Sequence, residues 1–257
     1  MSQKLYHIDL VPGDVGRYVL LPGDPGRVET IAKYFDNPRE MAFHREYRTV
    51  TGTLEGVPVS VTSTGIGGPS TAIAVEELHM LGADTFIRVG TCGGMQKDVI
   101  PGDVIVASAA IRAEGTSQEY MPLAFPAVAD FTVLKALDAA AEEMGGRHHV
   151  GVVQCKDSFY GQHAPERMPV RQMLMSNWQA WIEGGCLVSE MESAALFVIS
   201  SILRARAGSV HLCLGNLERD KLKLENPPVK DPERAIQTAV LALRKLIRLD
   251  RDGEKIR

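Results

Sequence analysis

Short apolar, β-branched runs recur along the chain: "YVLL" at 18–21, "VPVSVTST" at 57–64, "DTFIRV" at 84–89, "DVIVASAA" at 103–110, "HVGVVQC" at 149–155 and "SVHLCL" at 209–214. Runs of this length and composition predict strands. Helical spacing fills the intervals. Residues 70–81, "STAIAVEELHML", set Ile73, Leu78 and Leu81 on one face. Residues 130–144, "DFTVLKALDAAAEEM", do the same with Val133, Leu134, Leu137 and Ala141. A last helix opens with Asp231 as N-cap and Pro232 at its first position, then repeats Ala235, Val240, Leu243, Leu246 and Ile247 at helical spacing. Strands alternating with helices predict an α/β fold with a parallel or mixed sheet covered by helices. No repeat, low-complexity tract or linker breaks the pattern, so residues 1–257 read as a single domain, with a polar, fraying tail at about 250–257.

One segment departs from ordinary patterning. "VSEMESAALFVISSILR", residues 188–204, is a helix apolar enough to be buried, yet Glu190 and Glu192 bracket Met191 at its mouth. Buried carboxylates are expensive unless paired. A helix start decorated with acids is one reading, since the dipole favours it. A pair of functional carboxylates is the other.

Composition narrows the field. The chain has 257 residues, 45% hydrophobic and 23% charged, which is ordinary for a globular domain. Its net charge of -4 gives no electrostatic reason to expect nucleic acid or an anionic membrane. The four cysteines are scattered, which argues against a zinc site or disulfide framework and for free thiols in a reducing cytoplasm. "MSQKLYHIDL" lacks the apolar core of a signal peptide, and no run is long enough for a transmembrane helix.

Ligands of open α/β sheets bind outside the carboxyl ends of the strands, and four strand-end segments carry candidate chemistry. "YVLLPGDPGRVETIA" runs from strand through a Gly-rich turn, with Gly23 and Gly26, to a helix with Arg27 in its first turn. That is an anion site, or equally a plain turn with a solvated arginine. "DTFIRVGTCGG" puts Arg88 inside an apolar strand, where it needs a carboxylate partner or a bound anion, with the Thr91 hydroxyl close behind. "KDSFYGQHAPERM" offers an aromatic wall from Phe159 and Tyr160, an amide from Gln162 and a guanidinium from Arg167, suited to a planar heterocycle or simply a polar loop. "VTSTGIGGPSTAIAVEEL" has Ser70 where a dinucleotide fingerprint needs its last glycine, and it is not a phosphate loop of the GxxxxGK[ST] type, so NAD and ATP have no support.

Taken in order, "LPGDPGRVETIA", "HREYRTV", "STGIGGPSTAIAVEEL", "FIRVGTCGGMQ", "GDVIVA", "LAFPAVADF", "DSFYGQ" and "SEMESAALF" resemble the nucleoside phosphorylase superfamily of hexameric type over almost the whole chain, and most closely its uridine-cleaving members. The resemblance implies a mixed α/β domain with a partly barrel-like central sheet flanked by helices. It implies reversible phosphorolysis of uridine to uracil and ribose 1-phosphate in pyrimidine salvage. Inorganic phosphate is then the co-substrate, with no other cofactor.

Residue roles follow by resemblance. Phosphate falls to Gly23, Arg27, Arg88 and Thr91, with Arg45 reaching the neighbouring subunit's phosphate. Ribose falls to Thr91, Glu190, Met191 and Glu192, with His7 crossing over to the 5′-hydroxyl. Phe159, Gln162 and Arg167 face the base, and Arg219 stands as counterpart of a base-side arginine, displaced by two residues. Gln162 and Arg167 are five apart, where the best-known bacterial members have two. Arg27, Arg88, Glu192 and Arg219 would carry the chemistry. No protein-bound metal is implied beyond a monovalent cation, potassium, near Glu46, Ile66 and Ser70. Sites shared across a dimer, in a hexamer built as a trimer of dimers, are implied too.

The late strand ends in "GNLER", with Asn216 where purine-specific members carry an acid, so a pyrimidine is expected, with Glu218 the nearest competing acid. The alternatives are a purine nucleoside phosphorylase, a nucleosidase of the same fold, or a non-catalytic nucleoside-binding protein. Three arginines for an anion speak against a nucleosidase, and the complete set of phosphate and ribose residues speaks against a non-catalytic binding protein.

Overall fold

All six β-branched runs become strands. The computed structural model describes residues 4–253 and 256. β1 (Tyr18–Pro22) leads through α1 (Gly26–Ala32) into a hairpin of β2 (Asp36–His44) and β3 (Tyr47–Leu54), then β4 (Val57–Thr62) and α2 (Gly68–Met80). β5 (Thr85–Gly94) and β6 (Val104–Ala113) precede α3 (Thr116–Tyr120), β7 (Ala127–Val128) and α4 (Phe131–Met144). β8 (His148–Lys156) feeds α5 (Phe159–His163), a 3-10 turn at Pro165–Arg167, and α6 (Arg171–Glu183). The chain closes with β9 (Val188–Glu190), α7 (Ser193–Ile202), β10 (Arg206–Asn216), α8 (Leu217–Lys221) and α9 (Glu233–Asp252).

The strands form one mixed sheet in the order β10-β6-β8-β9-β5-β1-β4-β3-β2, and β10 also pairs with β5. That extra pairing closes β5, β9, β8, β6 and β10 into a five-stranded barrel, while β1, β4, β3 and β2 continue from it as an open wing. The expected mixed, partly barrel-like sheet is what the chain forms. Two apolar layers flank it. Val28 and Ile31 of α1, Val133 and Leu137 of α4, and Leu243 and Leu246 of α9 pack on one face. On the other, Val75 and Leu78 of α2 pack with Leu196 and Phe197 of α7.

β5 decides where a ligand can enter. β10 pairs along the whole of one edge, so the other edge is shared by β1, from Thr85 to Val89, and β9, at Gly93 and Gly94. Between those pairings the sheet splits, beside Gly90, Thr91 and Cys92. Neighbouring strands diverge there, and a crevice opens at such a split.

Two boundary expectations need correction. α9 begins at Glu233 rather than at Pro232, although the Asp231 carboxylate still accepts from the Glu233 N–H at 3.1 Å. The tail expected from residue 250 begins later, because the helix runs to Asp252 and ends at left-handed Gly253, φ 68°. Asp250 is held in place, accepting from the Tyr18 hydroxyl at 2.7 Å and from the Arg206 guanidinium. Of the remaining tail, residues 254, 255 and 257 lie outside the described residues, and Ile256 is buried. No described helix is long and apolar enough to cross a membrane.

Candidate active site

The two acids at the mouth of α7 stand on different elements. Glu190 ends β9, and Glu192 precedes the first turn of α7. Both are buried. Glu190 accepts from the backbone N–H of Glu192 at 3.0 Å and of Ser193 at 3.0 and 3.1 Å, so it closes the open donors of the helix start. It also accepts from Arg88 Nε at 3.1 Å. Glu192 accepts from the Gly67 N–H at 2.6 Å, and its other oxygen is ion-paired with Arg88 Nη2. One guanidinium in mid-β5 thus clamps both carboxylates, which answers how they tolerate burial.

The clamp is incomplete on one side. Arg88 Nη1 is buried with no hydrogen-bond partner among the described residues. It faces Gly23, where an added Cβ would stand 3.9 Å from Nη1 and 3.0 Å from the Gly65 carbonyl. A buried charged donor without an acceptor is costly, and its aim at a glycine turn marks a place for an anion. Arg27 adds a second guanidinium. Its pKa is lowered by burial, and by the nearby Arg88 charge against the pull of Asp24. Two like charges held this close are relieved by an anion between them.

Electrostatics separates the two acids. Burial works against the charged form of Glu190, but Arg88, His211 and the two backbone N–H groups outweigh it and hold its pKa below the ordinary value. Burial pushes the Glu192 pKa up, the Glu190 charge adds to this, and Arg88 and the Gly67 N–H only partly offset it. For Arg88, the opposing effect of burial is overcome by Glu192 and Glu190, so it stays protonated. His211, packed nearby in β10, is pushed down to about 4 by burial, with Glu190 opposing and Arg88 reinforcing.

These groups line one cavity of about 870 Å³ at the split beside β5. Gly23, Arg27, Arg88 and Thr91 lie on its wall, as do Glu190, Met191 and Glu192. Phe159 and Gln162 of α5 close another part. The volume suits a small polar ligand with a ring system.

Four expected residues are not in this lining. His7 is tied to Glu77, Nδ1 to Oε1 at 2.5 Å, and its carbonyl accepts from His44 Nδ1 at 2.8 Å. Arg45, in left-handed backbone (φ 56°) at the β2–β3 turn, lies over the Tyr6 ring at 5.6 Å. His7 and Arg45 are therefore neighbours on the outer surface. Arg167 ends the 3-10 turn with its side chain exposed, because the longer spacing from Gln162 carries it past Pro165. Arg219 is turned from the cavity, donating to the carbonyls of Glu225, at 2.8 Å, and Lys97. Asn216 is structural. Its amide donates to the Gln96 and Val99 carbonyls and its oxygen caps α8. Glu218 accepts from Trp178 Nε1 at 2.8 Å and from Lys221. Ser70 donates to the Ile66 carbonyl at 3.1 Å, and the Glu46 side chain lies against Gly65, so the three oxygen-bearing residues proposed for a cation are close neighbours.

Sequence reasoning missed Lys156, His163, Ser189 and Asp220, all of which line the cavity. Lys156 had a usable signal, a charge ending an apolar strand, as Arg88 is a charge within one. Asp220 had none, since its helix α8 is too short to show a pattern. It adds a second acid beyond Glu218 near that strand end, although its carboxylate accepts from Asn226 Nδ2 at 2.7 Å.

Residues 17–248 match a family model described as the phosphorylase superfamily. The chain is 58% identical to a uridine phosphorylase of Treponema pallidum (strain Nichols), covering 95% of this chain and 95% of that one. It is 40% identical to a uridine phosphorylase of Escherichia coli (strain K12), covering 96% and 99%. It is 37% identical to a guanosine phosphorylase of Halorubrum lacusprofundi, covering 94% and 95%.

Proposed function

The chain belongs to the phosphorylase superfamily, and from that premise we propose that it is a pentosyltransferase that cleaves uridine with inorganic phosphate, giving uracil and ribose 1-phosphate reversibly. The observation that carries the reading is the buried Arg88, clamped to Glu190 and Glu192 while its third nitrogen faces the Gly23 turn without a partner.

The chemistry follows from that arrangement. Phosphate bound by Arg27, Arg88 Nη1 and the Thr91 hydroxyl is a nucleophile that needs no protein base. Glu192 keeps lone pairs beyond those used by Arg88 and Gly67, and these accept ribose hydroxyls. Positive charge developing at C1′ is stabilised by the carboxylate beside it. The base leaves as a delocalised anion, stabilised by donors at its carbonyl oxygens, a role that Gln162 takes in this reading. Phe159 gives the ring a face to stack on. Nothing in this sequence of steps uses water as nucleophile.

Two subunits complete each site in this reading. His7 and Arg45 lie together outside their own cavity, and Tyr6, Phe43 and Ile66 expose apolar surface on and around the same turn. A dimer contact there hands both residues to the neighbour, within a hexamer built as a trimer of dimers. Potassium at Glu46, Ile66 and Ser70 would sit at that same contact. The four free, buried cysteines suit a cytoplasmic setting.

Asp220 favours a second reading, cleavage of a purine nucleoside, since a carboxyl in the cavity can carry a proton to a purine ring. Product analysis tests the primary reading. Uridine with phosphate should give equal amounts of uracil, read by its absorbance, and ribose 1-phosphate, read by phosphorus NMR. Free ribose as the sugar product would reject phosphorolysis.

A further inference from the structure

We propose that Lys156 is the cation that meets the departing pyrimidine, donating from Nζ to a carbonyl oxygen of the base as the glycosidic bond breaks. This rests on the phosphorolysis reading and extends it to the leaving group.

Neither arginine expected on the base side supplies this charge. Arg167 is outside the cavity lining and exposed, and Arg219 is spent on two carbonyls. The lysine and arginine side chains that do line the cavity are Arg27, Arg88 and Lys156. Arg88 Nη1 faces the Gly23 turn, and Arg27 stands in the helix turn directly after it. Lys156 ends β8 on the other side of the split, directly before the loop that carries Phe159 and Gln162.

Its contacts tie it to that loop. Lys156 Nζ donates to Ser189 Oγ at 2.5 Å, and Ser189 Oγ lies 2.6 Å from Gln162 Oε1. The same hydroxyl also contacts Gln154 Oε1. Ser189 has one proton to give and two amide oxygens beside it, so it cannot satisfy both. An ammonium carries three donors, and Ser189 uses one. Lys156 is buried, yet it has no carboxylate within salt-bridge distance among the described residues, unlike Arg88. Burial lowers the Lys156 pKa, and Glu190 and Glu192 oppose this by favouring its charge without pairing with it. A buried ammonium with spare donors at a cavity wall is a costly arrangement for structure alone. It suits an oxyanion that appears only in the transition state.

The step balances without another reactant. A phosphate oxygen bonds to C1′ as the C1′–N1 bond breaks, and its electron pair delocalises onto the base oxygens. Lys156 keeps its proton and shares it by hydrogen bonding. The proton of hydrogenphosphate reaches the released base through solvent.

The test varies the leaving group. Fluorine withdraws electrons, so 5-fluorouracil leaves as a more stable anion than uracil and needs less help. Lys156→Met keeps the length of the side chain without a buried charge. It should lower kcat/KM for uridine by about 100-fold, the scale of one oxyanion donor, but for 5-fluorouridine by less than about 10-fold on the same reasoning. KM for phosphate should not move. Lys156→Arg, which keeps the charge, should fall between wild type and Lys156→Met on uridine. Should Lys156→Met fail to fold, Lys156→Gln, polar but uncharged, decides by the same comparison of the two substrates. Equal losses on both substrates would make Lys156 merely a support for Ser189 and Gln162 and overturn the proposal, as would no loss on either. Wild-type enzyme that leaves uridine intact with phosphate present would instead reject the phosphorolysis reading itself.

Discussion

Arg88 is the residue on which the site turns, and its removal has a calculable consequence. Arg88→Ala takes away an anion donor and leaves Glu190 and Glu192 facing each other. The variant should lose at least about 3 kcal/mol of transition-state stabilisation, read from kcat/KM at limiting phosphate, the scale of one charged donor. Near wild-type turnover there would remove phosphate from this pocket. His211 gives a prediction in pH. Its folded-state pKa lies at about 4, against an ordinary 6.5, so the unfolded chain takes up a proton that the folded chain refuses. Its contribution to stability is constant above pH 6.5 and is lost as pH falls from there towards 4. The loss amounts to about 3 kcal/mol at 1.36 kcal/mol per unit. Urea unfolding across that range should show a shallower acid loss for His211→Gln than for wild type, and parallel curves would contradict the assignment. Base choice also belongs to single residues. Inosine should have kcat/KM at least about two orders of magnitude below uridine, because a site built for polar partners rejects rings that leave them unpaired. Equal efficiency would mean that Asp220 acts as a proton donor. Arg88 and the Glu190–Glu192 pair drew notice because charge inside apolar sequence demands a reason, and Arg27 because a Gly-rich turn precedes it. Arg167 and Arg219 were misplaced because spacing in a loop does not determine direction.

Among the elements, strands with continuous apolar runs were readable and others were not. β2, "DNPREMAFH", is an exposed edge strand with a proline, so it shows neither alternation nor a run. β9 has three residues, too few for any pattern, yet it places Glu190. The closure of the barrel was expected by resemblance alone, since no local pattern shows the β10–β5 pairing of segments more than a hundred residues apart. α9 was legible at its apolar face but not at its end. Asp250 lies beyond the last apolar position, and its partners Tyr18 and Arg206 lie far off in sequence. Burial is opposed by the Arg206 and Tyr18 hydrogen bonds, which hold the Asp250 pKa low. Asp250→Ala should therefore cost about 1–3 kcal/mol in urea unfolding, the range for a broken hydrogen bond to a charged group. A cost within error of zero would return residue 250 to the fraying tail.

Taken whole, the chain holds the cavity while His7 and Arg45 stand outside its lining. Mixing Arg45→Ala subunits with Glu192→Ala subunits, each inactive alone, should restore activity after subunit exchange. In a mixed dimer one site receives both defects and the other receives neither. No recovery in demonstrated mixed oligomers would mean that each chain works alone. Whether phosphate is the nucleophile is likewise a property of the whole enzyme. The direct measurement is the initial rate of uridine absorbance loss as phosphate is titrated from zero with Arg27, Arg88 and Thr91 intact. A rate that rises from zero and saturates with phosphate is the expected result. Cleavage that proceeds unchanged without phosphate would show water to be the nucleophile and contradict the account.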